Sequence, residues 1–178
     1  RGLPGHAVGG GGTLSLSGRR WSQAIATFAT VLAIASPAAA GWAQTHWGMT
    51  PAEVHAAMPD TRPSRGHGLQ GMLERSRGRS LFSGIPVETK YYYRDGGLGL
   101  VGLDIPVPRC REAVAAIIAE RGPPVRTSDQ VILQLAIWHH ADSDTRIRLM
   151  TSRAGICSLY YEPLAAYREG DLVGEPVL

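Results

Sequence analysis

The 178-residue chain is poor in the residues and runs that usually declare a chemistry. Its two cysteines, Cys110 and Cys157, stand alone with no CxxC spacing, which leaves no cysteine-based zinc ligand set. The main uncharged apolar stretch, Ala24 to Ala35, has 12 residues, well short of the about 20 that a membrane-spanning helix requires. No GxSxG nucleophile elbow occurs after residue 44, and the chain has no GxxxxGK[ST] phosphate loop. Gly97 to Gly102 (GLGLVG) is rich in glycine. It falls inside a predicted hairpin, so its glycines are read as easing packing or a bulge. No cofactor and no metal are expected.

What is present first is a leader. Arg19 and Arg20 supply a positive start, Ala24 to Ala35 an apolar middle, and Ser36-Pro37 a break. Ala38-Ala39-Ala40 then offers the small residues of a signal-peptidase site, and a second acceptable site ends at Ala43, with Gly41 at minus three. The pattern predicts export to the periplasm or beyond. Residues 1–18, with Gly9 to Gly12, read as an unstructured leader or mis-called start. Residues 19–43 read as signal peptide, 45–163 as a single α+β domain, and 164–178 as a loose tail.

Removing residues 1–44 takes away Arg1, Arg19 and Arg20 and no acid. Fifteen cations then face fifteen anions, so the net charge of +3 belongs to the leader. A nucleic-acid binder would carry a basic excess, and none is expected here. Lys90 is the single lysine among the 18 basic residues, which we read as composition bias.

The body opens on a helix signature. Thr50 is the N-cap, Pro51 takes the first helical position, and Glu53 completes a capping box. Met49 can staple onto Val54, and Val54, Ala57 and Met58 form the buried stripe before Pro59. Asp60 to Gly68 reads as a polar loop and Leu69 to Arg75 as a weak strand. Leu81 to Arg94 is a stronger one. Ile85, Val87, Thr89, Tyr91 and Tyr93 share one face; Glu88, Lys90, Tyr92 and Arg94 share the other. Asp95-Gly96-Gly97 turns the chain into Leu98 to Ile105. A second helix runs from Arg109 to Arg121, with Gly122 as left-handed cap and Pro123-Pro124 as stop. Strands at Val131–His140, Thr145–Thr151 and Ile156–Tyr161 follow, joined by turns at Asp142-Ser143-Asp144 and Arg153-Ala154-Gly155. A short helical piece is possible near Ala165 to Arg168. The order predicts an α+β fold of two αβββ units, an antiparallel sheet with helices packed on one face.

Periodicity places Cys110 with Val114, Ile117 and Ile118 on one helix face, and Cys157 in phase with Leu159 and Tyr161. If both faces point to the core, the sulfurs meet between helix and sheet. A disulfide is expected in an oxidising compartment; the alternative is two buried thiols acting as small apolar residues.

Trp47-Gly48-Met49-Thr50-Pro51-Ala52-Glu53-Val54, the helix end Ala119 to Pro124, the Trp138 strand and Leu159-Tyr160-Tyr161 resemble small exported bacterial proteins of unknown function. Their helix-plus-hairpin repeat is similar to the β-lactamase-inhibitory-protein-like fold and to the small outer-membrane assembly lipoproteins. The resemblance implies a structural kinship without catalytic residues. The chain departs from the lipoproteins in having no cysteine near the cleavage region to carry a lipid.

Three functions are compatible with these features. The first is a non-catalytic exported binding module for an unknown envelope protein or small ligand. Its expected interaction surface is an aromatic and basic sheet face with Tyr92, Trp138, Arg146 and Arg148; the competing expectation is that the aromatics fill the core and the arginines are solvated. The second is a metal-dependent or hydrolase-like enzyme assembled around His139, His140 and Asp142. Adjacent strand histidines point to opposite faces, which favours a plain hairpin end. The third is a purely structural envelope protein.

Overall fold

The structure is a computed structural model, and it describes residues 41–166. The expected leader, the bond after Ala40 and the tail beyond Ala166 lie outside the described residues. Helix α1 (Pro51–Ala57) starts as its sequence dictates. Thr50 Oγ1 accepts from the Glu53 backbone N–H at 3.3 Å, and the Glu53 carboxylate accepts from the Thr50 N–H at 2.8 Å.

Between α1 and the second helix lie five strands: β1 (Arg62–Pro63), β2 (Gly68–Leu69), β3 (Met72–Phe82), β4 (Ile85–Arg94) and β5 (Gly97–Asp104). A 3-10 turn at Val107–Arg109 leads into α2 (Cys110–Arg121). Four more follow: β6 (Arg126–Asp129), β7 (Leu133–His140), β8 (Thr145–Ser152) and β9 (Cys157–Pro163). The described chain closes on a 3-10 turn at Leu164–Ala166.

The α+β character is as expected, but the three-plus-three strand count is not what forms. Asp60 to Gly68, expected to be loop, folds back so that β1 and β2 both pair with β3. Arg126–Asp129 is also a strand. These segments are short or polar and show no apolar alternation, the signal by which strands are read. Leu81 belongs to β3 and not to the following strand. Ser83 and Gly84 form the turn between them, with φ of +47° and +80°; positive φ at both central positions suits a two-residue hairpin. Asp95 and Gly96 repeat the device at +50° and +85° between β4 and β5. Val131 and Ile132 sit exposed ahead of β7 instead of starting it.

One antiparallel sheet runs in the order β1-β3-β4-β5-β9-β8-β7-β6, with β2 beside β3. Its inner face carries the main core: Ile85, Tyr91 and Tyr93 from β4, Val101 and Leu103 from β5, Leu159 and Tyr161 from β9, Ile147 and Leu149 from β8, and Trp138 from β7. Val54 of α1 and Ala113 and Ile117 of α2 close over it. Tyr92, out of phase with its neighbours, joins a smaller cluster with Met72 and Leu100.

Cys110, at the start of α2, and Cys157, at the start of β9, lie at disulfide distance, with sulfurs 2.05 Å apart and Cα atoms 5.9 Å apart. The link crosses 47 residues of sequence and ties the helix to the sheet. Reduction, or a Cys110→Ala/Cys157→Ala pair, is expected to lower stability by about 2–4 kcal/mol, chiefly by freeing the unfolded chain. Urea unfolding with and without reductant measures it; coincident transitions would show that the cross-link contributes nothing.

Candidate functional site

The residues expected to form an exposed surface are instead covered. Tyr92 and Arg148 are each 7 % exposed, Trp138 is 3 % and Arg146 is 0 %. The correction has a local cause at each position. Arg146 stands opposite Glu162 in the β8–β9 register. Glu162, itself buried, accepts from Arg146 Nη1 at 3.1 Å and from Arg148 Nε at 3.4 Å. Arg148 also lies over the Tyr160 ring, 4.9 Å from its centroid, a favourable cation–π placement. Gly102, with no side chain, leaves room for the Tyr160 and Tyr92 rings that flank it. Lys90 and Asp104 pair at 2.5 Å, and Ser158 donates to the same carboxylate at 3.1 Å. Glu162 thus serves both arginines, and Asp104 serves Lys90 and Ser158.

Trp138 faces the other side, where its indole N–H donates to Gly122 O at 3.0 Å. Gly122 ends α2 at φ +77°, with its own N–H bonded to Ile118 O. The bond therefore pins the last turn of the helix to β7.

His139 and His140 point away from each other on β7, as strand geometry requires. His139 is exposed and His140 is half-buried. His140 Nδ1 lies 2.6 Å from Ser143 Oγ, while Asp142 is exposed in the 3-10 turn at Ala141–Ser143. Partial burial, and then the Arg146 charge, hold the His139 imidazole below its usual range. Among the described residues no three histidine, cysteine, aspartate or glutamate side chains gather at metal-binding geometry. The Gly97 to Gly102 run lies wholly within β5, with an irregularity in the β4–β5 register at Tyr92/Tyr93. A dinucleotide fingerprint would place such glycines at a strand-to-helix turn.

A different feature emerges at the β6 end of the sheet. Eight strands side by side span about 34 Å at 4.8 Å per gap. The 12 residues of α2 reach about 18 Å, and α1 has only seven residues. The helices thus cannot roof the whole inner face. What stays open is a groove of about 410 Å³ between Val114 and Ile118 of α2 and Thr127, Ala136 and Leu149 of the sheet, with Trp138 at its base. Ile118 remains 43 % exposed. A second hollow of about 620 Å³ adjoins it at Asp129, Gln134 and Thr151, rimmed by the exposed Val131 and Ile132. Along one flank runs β6, which among the described residues pairs with β7 alone, so that one edge of its backbone groups meets no other described strand. Sequence reasoning found Trp138, Val114 and Ile118 as apolar helix and strand positions. It had no signal for the groove, because β6 itself reads as polar.

No protein-family model matches the sequence, and no curated protein matches it. One solved structure is similar in fold: a DUF4309 family protein, YjgB, from Bacillus subtilis subsp. subtilis str. 168. It is 12 % identical, with a TM-score of 0.43, over 68 % of this chain and 83 % of that one. No helix among the described residues is long and apolar enough to cross a membrane.

Two outcomes follow from the buried groups. Glu162→Ala leaves two guanidinium groups without their shared carboxylate and is expected to cost about 3–5 kcal/mol, read from the urea midpoint; an unchanged midpoint would mean the cluster is not buried in solution. Burial also raises the phenols of Tyr91 (to about 12), Tyr92, Tyr93 and Tyr161 above the ordinary value of 10.0. Because the folded pKa lies above the unfolded one, the stability linked to these groups is complete below about pH 10. It is lost as pH rises through the folded values. Absorbance at 295 nm should show them ionising late and together with loss of near-UV circular dichroism; early ionisation of all tyrosines in a folded protein would contradict it.

Proposed function

We propose that the chain is an exported, non-catalytic binding module that receives an extended, apolar segment of a partner polypeptide in the groove between α2 and β6–β7. The observation that carries this reading is the apolar floor of Val114, Ile118, Ala136 and Leu149 lying directly beside a sheet edge that no other described strand covers. An added strand would hydrogen-bond to β6, and its alternate side chains would enter the groove. Arg126 and Asp129 on β6, and the strand's length of four residues, discourage indiscriminate edge pairing. The floor then selects apolar sequence.

Export is supported by the leader of Arg19 to Ala43 and by the Cys110–Cys157 pair, since disulfides persist in oxidising compartments. A periplasmic or secreted location agrees with the resemblance to small exported proteins of the helix-plus-hairpin kind. The neutral balance of charge after the leader is removed fits a protein partner better than a nucleic acid.

A random-peptide library selected on the folded protein tests the proposal. Selected peptides should alternate apolar and polar residues, perturb the amide resonances of Arg126–Asp129, and bind at least tenfold more weakly to Ile118→Glu. Peptides that bind elsewhere, or that ignore Ile118→Glu, would remove the groove as the site.

A further inference from the structure

We infer that the mature chain begins at Gly41: the leader is cut at the Ala40–Gly41 bond and not after Ala43. This rests on the exported reading above, but it comes from an independent observation, the packing of residues 41–45.

Both bonds offer small residues at minus one and minus three, so the peptidase pattern does not choose between them. The fold does. The Trp42 ring packs against the core, 4.9 Å from the Tyr161 ring and 6.1 Å from Phe82. Thr45, at 0 % exposure, depends on Trp42 for its polar atoms. Its backbone N–H donates to Trp42 O at 3.0 Å, its hydroxyl donates to the same oxygen at 2.7 Å, and it accepts from the Trp42 N–H at 3.3 Å. Gly41 is built into this turn. Its φ is +148°, and a Cβ there would sit 2.5 Å from Thr45 O. The small residue at 41 is therefore explained by the turn, without any role as the minus-three residue of a cut at Ala43.

Cleavage after Ala43 would remove Trp42, bare the faces of Phe82 and Tyr161, and leave a buried hydroxyl and a buried N–H without these partners. A buried polar group stripped of its hydrogen bond carries a full desolvation penalty. Cleavage after Ala40 keeps every one of these contacts. The reaction is hydrolysis by an export-linked endopeptidase that reads small residues. Water adds to the Ala40 carbonyl carbon, the Ala40–Gly41 C–N bond breaks, Ala40 leaves as a carboxylate on the leader, and the proton goes to the new Gly41 amine.

Expression of the full chain with its own leader in a bacterium with two membranes, followed by N-terminal sequencing and intact mass of the exported protein, tests this. The expected first residue is Gly41. A product starting at Gln44, or at any other residue, overturns the inference and leaves export standing. An uncleaved chain retained in the cytoplasm overturns the export reading and this inference with it. Trp42→Ala in the full-length chain supplies a second measurement. Its Tm should fall by on the order of 5 °C; an unchanged Tm would show that Trp42 does not complete the core and would overturn the physical reason for the assignment.

Discussion

The pairing of β5 with β9 is the contact on which the rest of the structure depends. Val101 lies opposite Tyr161 and Leu103 opposite Leu159, and Val101, Leu103 and Leu159 are all fully buried. The two strands are more than fifty residues apart in sequence, so the junction carries a loop-closure cost that local hairpins avoid. Its compensation is the burial of apolar surface at the centre of the sheet. Once formed, it makes one sheet out of two sets of hairpins. It also sets Cys157 beneath the start of α2, where Cys110 waits.

From that junction the two faces of the sheet diverge in chemistry. The inner face takes the aliphatic and aromatic side chains and both helices. The other carries paired charges, with Glu162 held between Arg146 and Arg148 and Lys90 against Asp104. The tyrosine triplet shows the division most directly. Tyr91 and Tyr93 enter the main core, and Tyr92 enters the small cluster with Met72 and Leu100. An open groove at one end is the geometric consequence of two short described helices on a wide sheet, and β6 forms the edge beside it because no further strand pairs there among the described residues.

Much of this was legible from residue order. The capping box at Thr50 and Glu53, the Asp95-Gly96 turn, the Gly122 cap and the alternation of Ile85 to Tyr93 each depend on neighbours within a few positions, and each stands where the pattern put it. The β3–β4 turn at Ser83-Gly84 is not legible in the sequence because β3 buries the polar Glu74 and Ser76 on opposite faces, opposite Tyr92 and Tyr91, and a register shift between them breaks the period of two. β1, β2 and β6 were missed because their pairing comes from a neighbouring strand and not from their own side chains.

The amino-acid sequence by itself determined the two helices, the Asp95-Gly96 turn, the phase of Tyr92 against Tyr91 and Tyr93, and the faces on which Cys110 and Cys157 lie, since all of these follow from backbone geometry and short-range periodicity. Only the tertiary structure decided that Tyr92, Trp138, Arg146 and Arg148 are covered, and that the open apolar surface lies between α2 and β6–β7. Exposure is a property of what packs against a residue. That depends on which distant strands become neighbours and on how far a helix of given length can reach across them.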